Sequence, residues 1–169
     1  MVTTIPHPTS DIRAALQDLE LFAAADEIVL ASLAEGSELI EFSEHEWMFR
    51  EHDPAEFIYL VVSGNVSLVT CRPVVGCRQL TELGPGELLG WSPLAQRPRL
   101  SASAVATEPV TLLKINLKTI TQLKEQNPAF FCEFLQRVIE IVAQRLSATR
   151  VQILDMCGVR LPEVQIESD

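Results

Sequence analysis

The sequence predicts an α+β chain, mainly β: an eight-stranded antiparallel β-roll, or jelly roll, flanked by N-terminal helices and followed by a long C-terminal helix. Three observations predict it. Between Ser37 and Asn116, short apolar segments recur between turn residues every eight to twelve positions, the spacing of a double-sheeted β-structure rather than a parallel sheet. Before Ser37 the apolar residues fall at three- and four-residue steps, which is helical spacing. After Pro128 neither Gly nor Pro interrupts the chain as far as Met156.

Composition narrows the function classes. A chain of 169 residues is read as one domain that buries roughly 70% of its unfolded surface, so it folds without needing a disulfide or a metal. Its 47% hydrophobic and 21% charged residues are those of an ordinary globular protein. No apolar run approaches the ~18 residues that span a bilayer, and Met1–Pro8 lacks the basic region and apolar core of a secretory signal, so a cytoplasmic location without membrane insertion is expected. A net charge of −10, from 23 acids and 13 bases, opposes DNA binding in the absence of a basic patch, and none is visible. Cys71, Cys77, Cys132 and Cys157 show no zinc spacing. They read as reduced, mostly buried thiols, with a Cys71/Cys77 pair facing across a hairpin, in a redox role, as the alternative.

In chain order, residues 1–10 carry Pro6 and Pro8 and read as a loose lead-in. From Asp11, the positions Ile12, Leu16, Leu19, Phe22, Ile28, Leu30 and Leu33 predict one or two short amphipathic helices. Strands are predicted at residues 39–42, 47–49, 57–62, 66–69, 79–83, 102–106 and 110–115. Ser63-Gly64-Asn65 is expected to be a tight hairpin turn, because Gly and Asn tolerate positive φ. Asn116 is placed to cap a helix over Leu117–Gln126, and Asn127-Pro128 supplies a second N-cap with Pro at N1.

The last helix then runs to about Met156, roughly 43 Å at 1.5 Å per residue. Its apolar residues, from Phe131 and Phe134 through Leu135, Val138, Ile139, Ile141, Val142 and Leu146 to Ile153 and Leu154, cover a broad arc opposite Glu133, Gln136, Arg137, Glu140, Gln144 and Ser147. That arc exceeds what one barrel face covers, so a homodimer through this helix is expected. Gly158 is read as its end, with residues 158–169 an acidic tail. The expected domain is residues 11–157, with the roll at about 37–116 and the C-terminal helices at about 117–156.

The chemistry concentrates in Gly86-Glu87-Leu88-Leu89-Gly90-Trp91-Ser92-Pro93-Leu94, followed by Arg97-Pro98-Arg99-Leu100-Ser101-Ala102-Ser103-Ala104. Two glycines bracket an apolar pair, and a small-residue turn with a proline follows, a build that aims backbone N–H groups into a concave anion cradle. No nucleophile stands beside a matched base, and no phosphate-binding lysine motif or acid pair is present, so an enzyme is not expected. No metal site is expected from His45, His52 and the distant His7.

The order and spacing of Phe42, Phe49-Arg50-Glu51-His52-Asp53, Tyr59-Leu60-Val61-Val62-Ser63-Gly64-Asn65-Val66, Gly86-Glu87-Leu88-Leu89-Gly90 and Arg145-Leu146-Ser147-Ala148-Thr149 resemble the cyclic nucleotide-binding domain. That family includes the sensor half of the catabolite activator proteins and the regulatory subunits of protein kinase A. The resemblance covers the chain from about Leu16 to Cys157. It implies a ligand site formed by Gly86, Glu87, Leu88, Leu89, Gly90, Trp91, Ser92, Arg99, Leu100, Ser101 and Ala102, with Thr149 on the long helix against the base. It also implies that the turns at His45 and His52, where the family has glycines, take a conformation open to other residues.

In family members that bind cyclic AMP, a Glu after the second cradle glycine accepts a hydrogen bond from the ribose 2′-hydroxyl, and an Arg further on pairs with the cyclic phosphate. Here those positions hold Trp91 and Leu100. Loss of a buried charge-assisted partner costs about 2–5 kcal/mol, or roughly 30-fold to several thousand-fold in affinity. The sequence also resembles a stand-alone bacterial subgroup in which Gly-Trp-Ser begins the turn and an Arg lies eight residues after the Trp, as Arg99 does here.

The expectation is a stand-alone regulatory sensor domain whose altered cradle takes a cyclic nucleotide or another small anion, with ordinary cyclic AMP binding in doubt and no cofactor beyond that ligand. The alternatives are a ligand-free pseudo-receptor that docks a partner protein, and a cyclic AMP or cyclic GMP binder using backbone N–H groups plus Arg99; Arg97 is the next candidate to reach the cradle. The catabolite activators carry a DNA-binding module beyond the long helix; the chain as given has no such recognition helix, and DNA binding is not expected.

Overall fold

The structure is a computed structural model that describes residues 8–74 and 76–157. Residues 1–7 of the predicted lead-in and the whole predicted tail lie outside the described residues. Helix α1 spans Thr9–Asp18, so it takes in the last two residues assigned to the lead-in. A 3-10 turn at Glu20–Phe22 leads to α2, Glu27–Glu35, whose N-terminus is capped by Asp26 accepting from the Val29 N–H at 2.8 Å.

The eight strands are β1 Ser37–Phe42, β2 Trp47–Phe49, β3 Phe57–Ser63, β4 Val66–Arg72, β5 Gly76–Leu83, β6 Leu88–Leu89, β7 Ser103–Ala106 and β8 Val110–Asn116. All seven predicted segments are strands, and β6 is added. Helix α3, Leu117–Gln126, is capped by the Asn116 side chain accepting from Lys118 N–H at 2.8 Å. Helix α4, Pro128–Cys157, starts where Asn127 Oδ1 accepts from Phe130 N–H at 3.1 Å.

The strands form two four-stranded antiparallel sheets, in the order β1-β8-β3-β6 and β2-β7-β4-β5. Ser63-Gly64-Asn65 therefore joins strands of different sheets and is no hairpin. Gly64 has φ +80°, and a Cβ there would stand 2.3 Å from the Pro109 carbonyl oxygen, so the chain turns this corner against the next loop. The true hairpin is β4–β5.

Within that hairpin Cys71 faces Cys77 in register, with Cα atoms 3.9 Å apart, and the two are joined by a disulfide. Cys132 is exposed. The expectation of reduced, mostly buried thiols is thus corrected in burial at all three positions, and in oxidation state at Cys71 and Cys77 alone, where the alternative of a facing pair holds because a hairpin register that sets two cysteines opposite each other brings their sulfurs within bonding reach. The turns at His45 and His52 are corrected as well. Both residues have positive φ, 67° and 76°, so these turns keep the left-handed conformation that glycine favours.

The first sheet is apolar on both faces. One face closes the roll with Ile40, Phe42, Val61, Leu89 and Leu112; on the other, α1 and α2 meet β1, and α3 meets β8. Leu112, Leu113 and Ile115 of β8 are all fully buried. The start of α4 joins this packing through Phe134, which stacks on Phe22 with ring centroids 6.0 Å apart. Backbone packing divides the chain inside α4, after Phe134. The later part of α4 exposes Ile139, Leu146, Val151 and Ile153.

Two turn substitutions should move stability in opposite directions. Gly64→Ala adds positive-φ strain and a backbone clash, and should cost about 2–4 kcal/mol. His52→Gly relieves left-handed strain against the backbone entropy of glycine, and should be neutral or stabilising by up to about 1 kcal/mol. Urea unfolding midpoints of the two variants check both signs.

Candidate functional site

The cradle hangs from β3. Gly86 N–H donates to Val61 O at 2.8 Å, Val61 N–H donates to Glu87 O at 3.0 Å, and Gly84 N–H donates to the Glu87 carboxylate at 2.8 Å. Leu88 and Leu89 then pair opposite Leu60 and Tyr59 as β6, both fully buried. Gly90 reverses the chain with φ +70°, and a Cβ on it would lie 2.9 Å from a ring carbon of Tyr59. Glycine is required there twice over, by backbone conformation and by the tyrosine ring.

Trp91, half-buried, opens the 3-10 turn Ser92–Ala95, and its carbonyl accepts from Leu94 N–H at 3.0 Å. Pro93 fixes the start of the turn, and Gln96 ends it in a left-handed conformation. Ser92 is buried, and its hydroxyl lies 3.3 Å from that of exposed Ser101, linking the two limbs of the cassette. Ala102 is half-buried beyond it.

The far limb lies along the turn between β2 and β3. Ala55 N–H donates to Pro98 O, Leu100 N–H to Asp53 O, and His52 N–H to Leu100 O, at 3.0, 3.0 and 2.9 Å. Strand alternation then sends neighbouring side chains opposite ways. Leu100, 4% exposed, enters the roll core with Phe49, Leu89 and Ala104. Arg99 turns outward and donates from Nη1 to the His52 carbonyl at 2.7 Å. Arg97 is exposed.

The structure thus gathers Gly86 to Ser92 and Arg99 to Ala102 around one cassette, with the Arg99 guanidinium on its outer side. Thr149 belongs to the unit that begins at Leu135. It is exposed, and its hydroxyl donates to the Arg145 carbonyl on its own helix at 2.8 Å.

Two residues that were not singled out for the site contribute to it. Tyr59 packs 5.3 Å from the Phe49 ring and against Gly90; its place on the inward face was available from the alternation Phe57, Tyr59, Val61. Burial, helped by the carboxylates of Glu38, Asp53 and Glu56, pushes its phenol up to about 12. Glu51, in the turn that carries the far limb, pairs with Arg72 at 2.8 Å. The hydrogen bond from Arg72 holds its carboxyl below the usual range. No local motif marks a pair separated by 21 residues.

In chemical terms the cassette offers two hydroxyls, an indole and the backbone of a 3-10 turn, and it is anchored on the roll core that holds Leu89, Leu100 and Phe49 with Tyr59 packed against it. A family profile described as the cyclic nucleotide-binding domain matches residues 39–127. The chain belongs to the cyclic nucleotide-binding domain family. The CRP-like cAMP-activated global transcriptional regulator of Mycobacterium tuberculosis is 22% identical over 143 residues, covering 84% of this chain and 62% of that protein. The chain thus spans about three-fifths of that relative's length.

Among solved structures, a cyclic nucleotide-binding domain from Methylobacillus flagellatus shares the fold with TM-score 0.76 at 18% identity, covering 97% of this chain and 92% of that one. The Thermus thermophilus catabolite activator protein aligns with TM-score 0.64 at 27% identity over 82% of this chain and 62% of its own. Among the described residues, no helix is long and apolar enough to cross a membrane.

Tyr59 is the only tyrosine in this cyclic nucleotide-binding domain, so near-UV absorbance reads its ionisation alone. Its folded pKa lies above the unfolded value of about 10. The associated stability is therefore complete below about pH 10 and is lost as pH rises toward 12. A spectrophotometric titration should show a midpoint near 12, or tyrosinate appearing together with alkaline unfolding; a midpoint near 10 in the folded protein would place the ring in solvent.

Proposed function

We propose that this chain is a regulatory sensor module whose cradle takes a nucleotide-like anion or small molecule without a buried arginine–phosphate pair, and that it reports occupancy through α4 as a homodimer. One observation carries the reading: Leu100, at the position where cyclic AMP binders of the family place their arginine, is packed in the roll core, while Arg99 is turned outward onto the His52 carbonyl. A buried phosphate would then be met by N–H groups and the Ser92 and Ser101 hydroxyls alone. Such donors suit a ligand of low charge, and the flat Trp91 indole suits an aromatic one. A reporter role needs a ligand that favours one helix arrangement over another.

A second reading is supported by the same core. With Leu100 inside the roll and Trp91 half-buried, the cradle serves as a ligand-free docking module for a partner protein. Calorimetric titration with cyclic AMP, cyclic GMP and cyclic dinucleotides, on protein shown by mass spectrometry to carry nothing co-purified, separates the two. The sensor reading expects binding by one member of the panel. It also expects any cyclic AMP affinity to change by less than about 2-fold in Arg99→Ala, since an exposed charge contributes little. Tight cyclic AMP binding that is lost in Arg99→Ala would overturn the sensor reading as stated, and silence across the panel would favour the docking module.

The dimer is supported by the later part of α4. Leu135, Ile139, Val142, Leu146, Thr149 and Ile153 alternate at steps of four and three, the pattern of a coiled-coil seam, with Ile139 65% and Leu146 52% exposed. Leu146→Lys places a charge on that seam and should shift sedimentation equilibrium from dimer to monomer. A wild-type chain that sediments as a monomer at micromolar concentration would remove the dimer from the proposal.

A further inference from the structure

We propose that the Cys71–Cys77 disulfide is a redox latch on the far limb of the cradle. It closes a sequence separation of six residues near the tip of the β4–β5 hairpin, so it constrains the unfolded chain less than a longer loop would and acts mainly at the hairpin end. Cys77 is exposed and Cys71 half-buried, and β5 is an edge strand, so a reductant has access, and beyond the disulfide the hairpin end is held by its exposed backbone pairing Arg72↔Gly76.

The residue next to the disulfide links it to the cradle. The Arg72 guanidinium forks onto Glu51, Nη1 to Oε2 at 2.8 Å and Nη2 to Oε1 at 3.3 Å, and Thr70 Oγ1 donates to the same carboxylate at 3.2 Å. The Glu51 side chain is only 15% exposed. Its backbone N–H donates to Ser103 Oγ at 2.8 Å, where the far limb enters β7. The two residues after it, His52 and Asp53, hold the Leu100 backbone from both sides, and His52 O receives Arg99.

The turn that carries Glu51 is thus clamped to the hairpin on one side and to residues 98–103 on the other. Loss of the cross-link lets the Arg72 end of β4 fray, and Glu51 then loses the fork that fixes its turn. The chemistry is a two-electron exchange with a dithiol. A reductant thiolate attacks one sulfur of the Cys71–Cys77 bond, a mixed disulfide forms, and the reductant's second thiol resolves it. Cys71 and Cys77 end as two protonated thiols and the reductant as a disulfide; a disulfide oxidant reverses the step.

Hydrogen exchange with peptide-level mass spectrometry on the full chain, carrying Cys132→Ser and Cys157→Ser so that no other thiol can cross-link or exchange, tests the latch without any ligand. Its outcome is therefore separable from that of the sensor reading. Reduction with dithiothreitol should accelerate exchange several-fold in peptides covering 50–54 and 97–102 as well as in the hairpin. The Cys71→Ser/Cys77→Ser variant should match the reduced protein. In Glu51→Gln the hairpin should still respond to reduction while 97–102, already fast, should not. Unchanged protection of 97–102 on reduction, or free thiols at Cys71 and Cys77 in non-reducing peptide maps of air-oxidised protein, would overturn it.

Discussion

The sheet β1-β8-β3-β6 is covered on both faces, and the rest of the roll is arranged around that constraint. Each fully buried Leu, Ile or Val contributes about 1.5–3 kcal/mol relative to exposure, and Ile58, Leu60, Val61, Leu112, Leu113 and Ile115 all have essentially no accessible surface. A sheet so placed has no room for an unpaired charge in its middle. The ion pair it carries, Lys114 with Glu38, stands at one end of the strands, where the lysine also lies 4.1 Å above the Phe57 ring. The other sheet ends in β5, whose residues are mostly exposed, so polar side chains, the disulfide and the Glu51–Arg72 pair collect there.

This difference decides what sequence reasoning reached. The strands of three or more residues were legible, because branched and aromatic runs between Gly, Pro, Asn and Ser have few other uses in a chain this size. Sheet membership was not, since β3 and β4 flank a turn of hairpin composition and nothing in Ser63-Gly64-Asn65 says that the strands part company there. Strand β6 escaped because two leucines cannot show an alternation. The helix caps at Asn116 and Asn127 were legible because capping is decided within one turn of chain. His45 and His52 were misjudged for the opposite reason: their positive φ is imposed by hydrogen bonds to Ala106 and Leu100, more than forty residues away.

The cradle was legible as a place and only partly as chemistry. Glycines at 86 and 90 mark the turn from sequence alone, and parity along a strand assigns Leu100 and Arg99 to opposite sides. What sequence could not supply was which side each would take. The answer follows from the Asp53–Leu100 backbone pairing, which fixes the register of the far limb and points residue 100 at Phe49 and Leu89. With that register set, moving an arginine inward needs a one-residue slip that would also expose Leu100, so the outward Arg99 and the apolar interior stabilise each other.

The two limbs of the cassette rest on different supports. The near limb is β6, whose leucines are fully buried in the sheet covered on both faces; displacing it would open the core of the molecule. The far limb leads into β7 of the other sheet and is held by backbone hydrogen bonds to a turn that carries a left-handed histidine. Breaking such bonds in an exposed turn costs little because water replaces the partners, whereas Leu100 anchors this limb in the core, so its loosely held part is the exposed stretch Arg97–Arg99 and Ser101 on either side of that residue. Residues 98–103 are therefore tied to the β2–β3 turn and, through it, to the β4–β5 hairpin, while β6 is tied to the sealed sheet. The hydrogen bonds run from cassette to turn to hairpin, along the side of the roll that is not sealed.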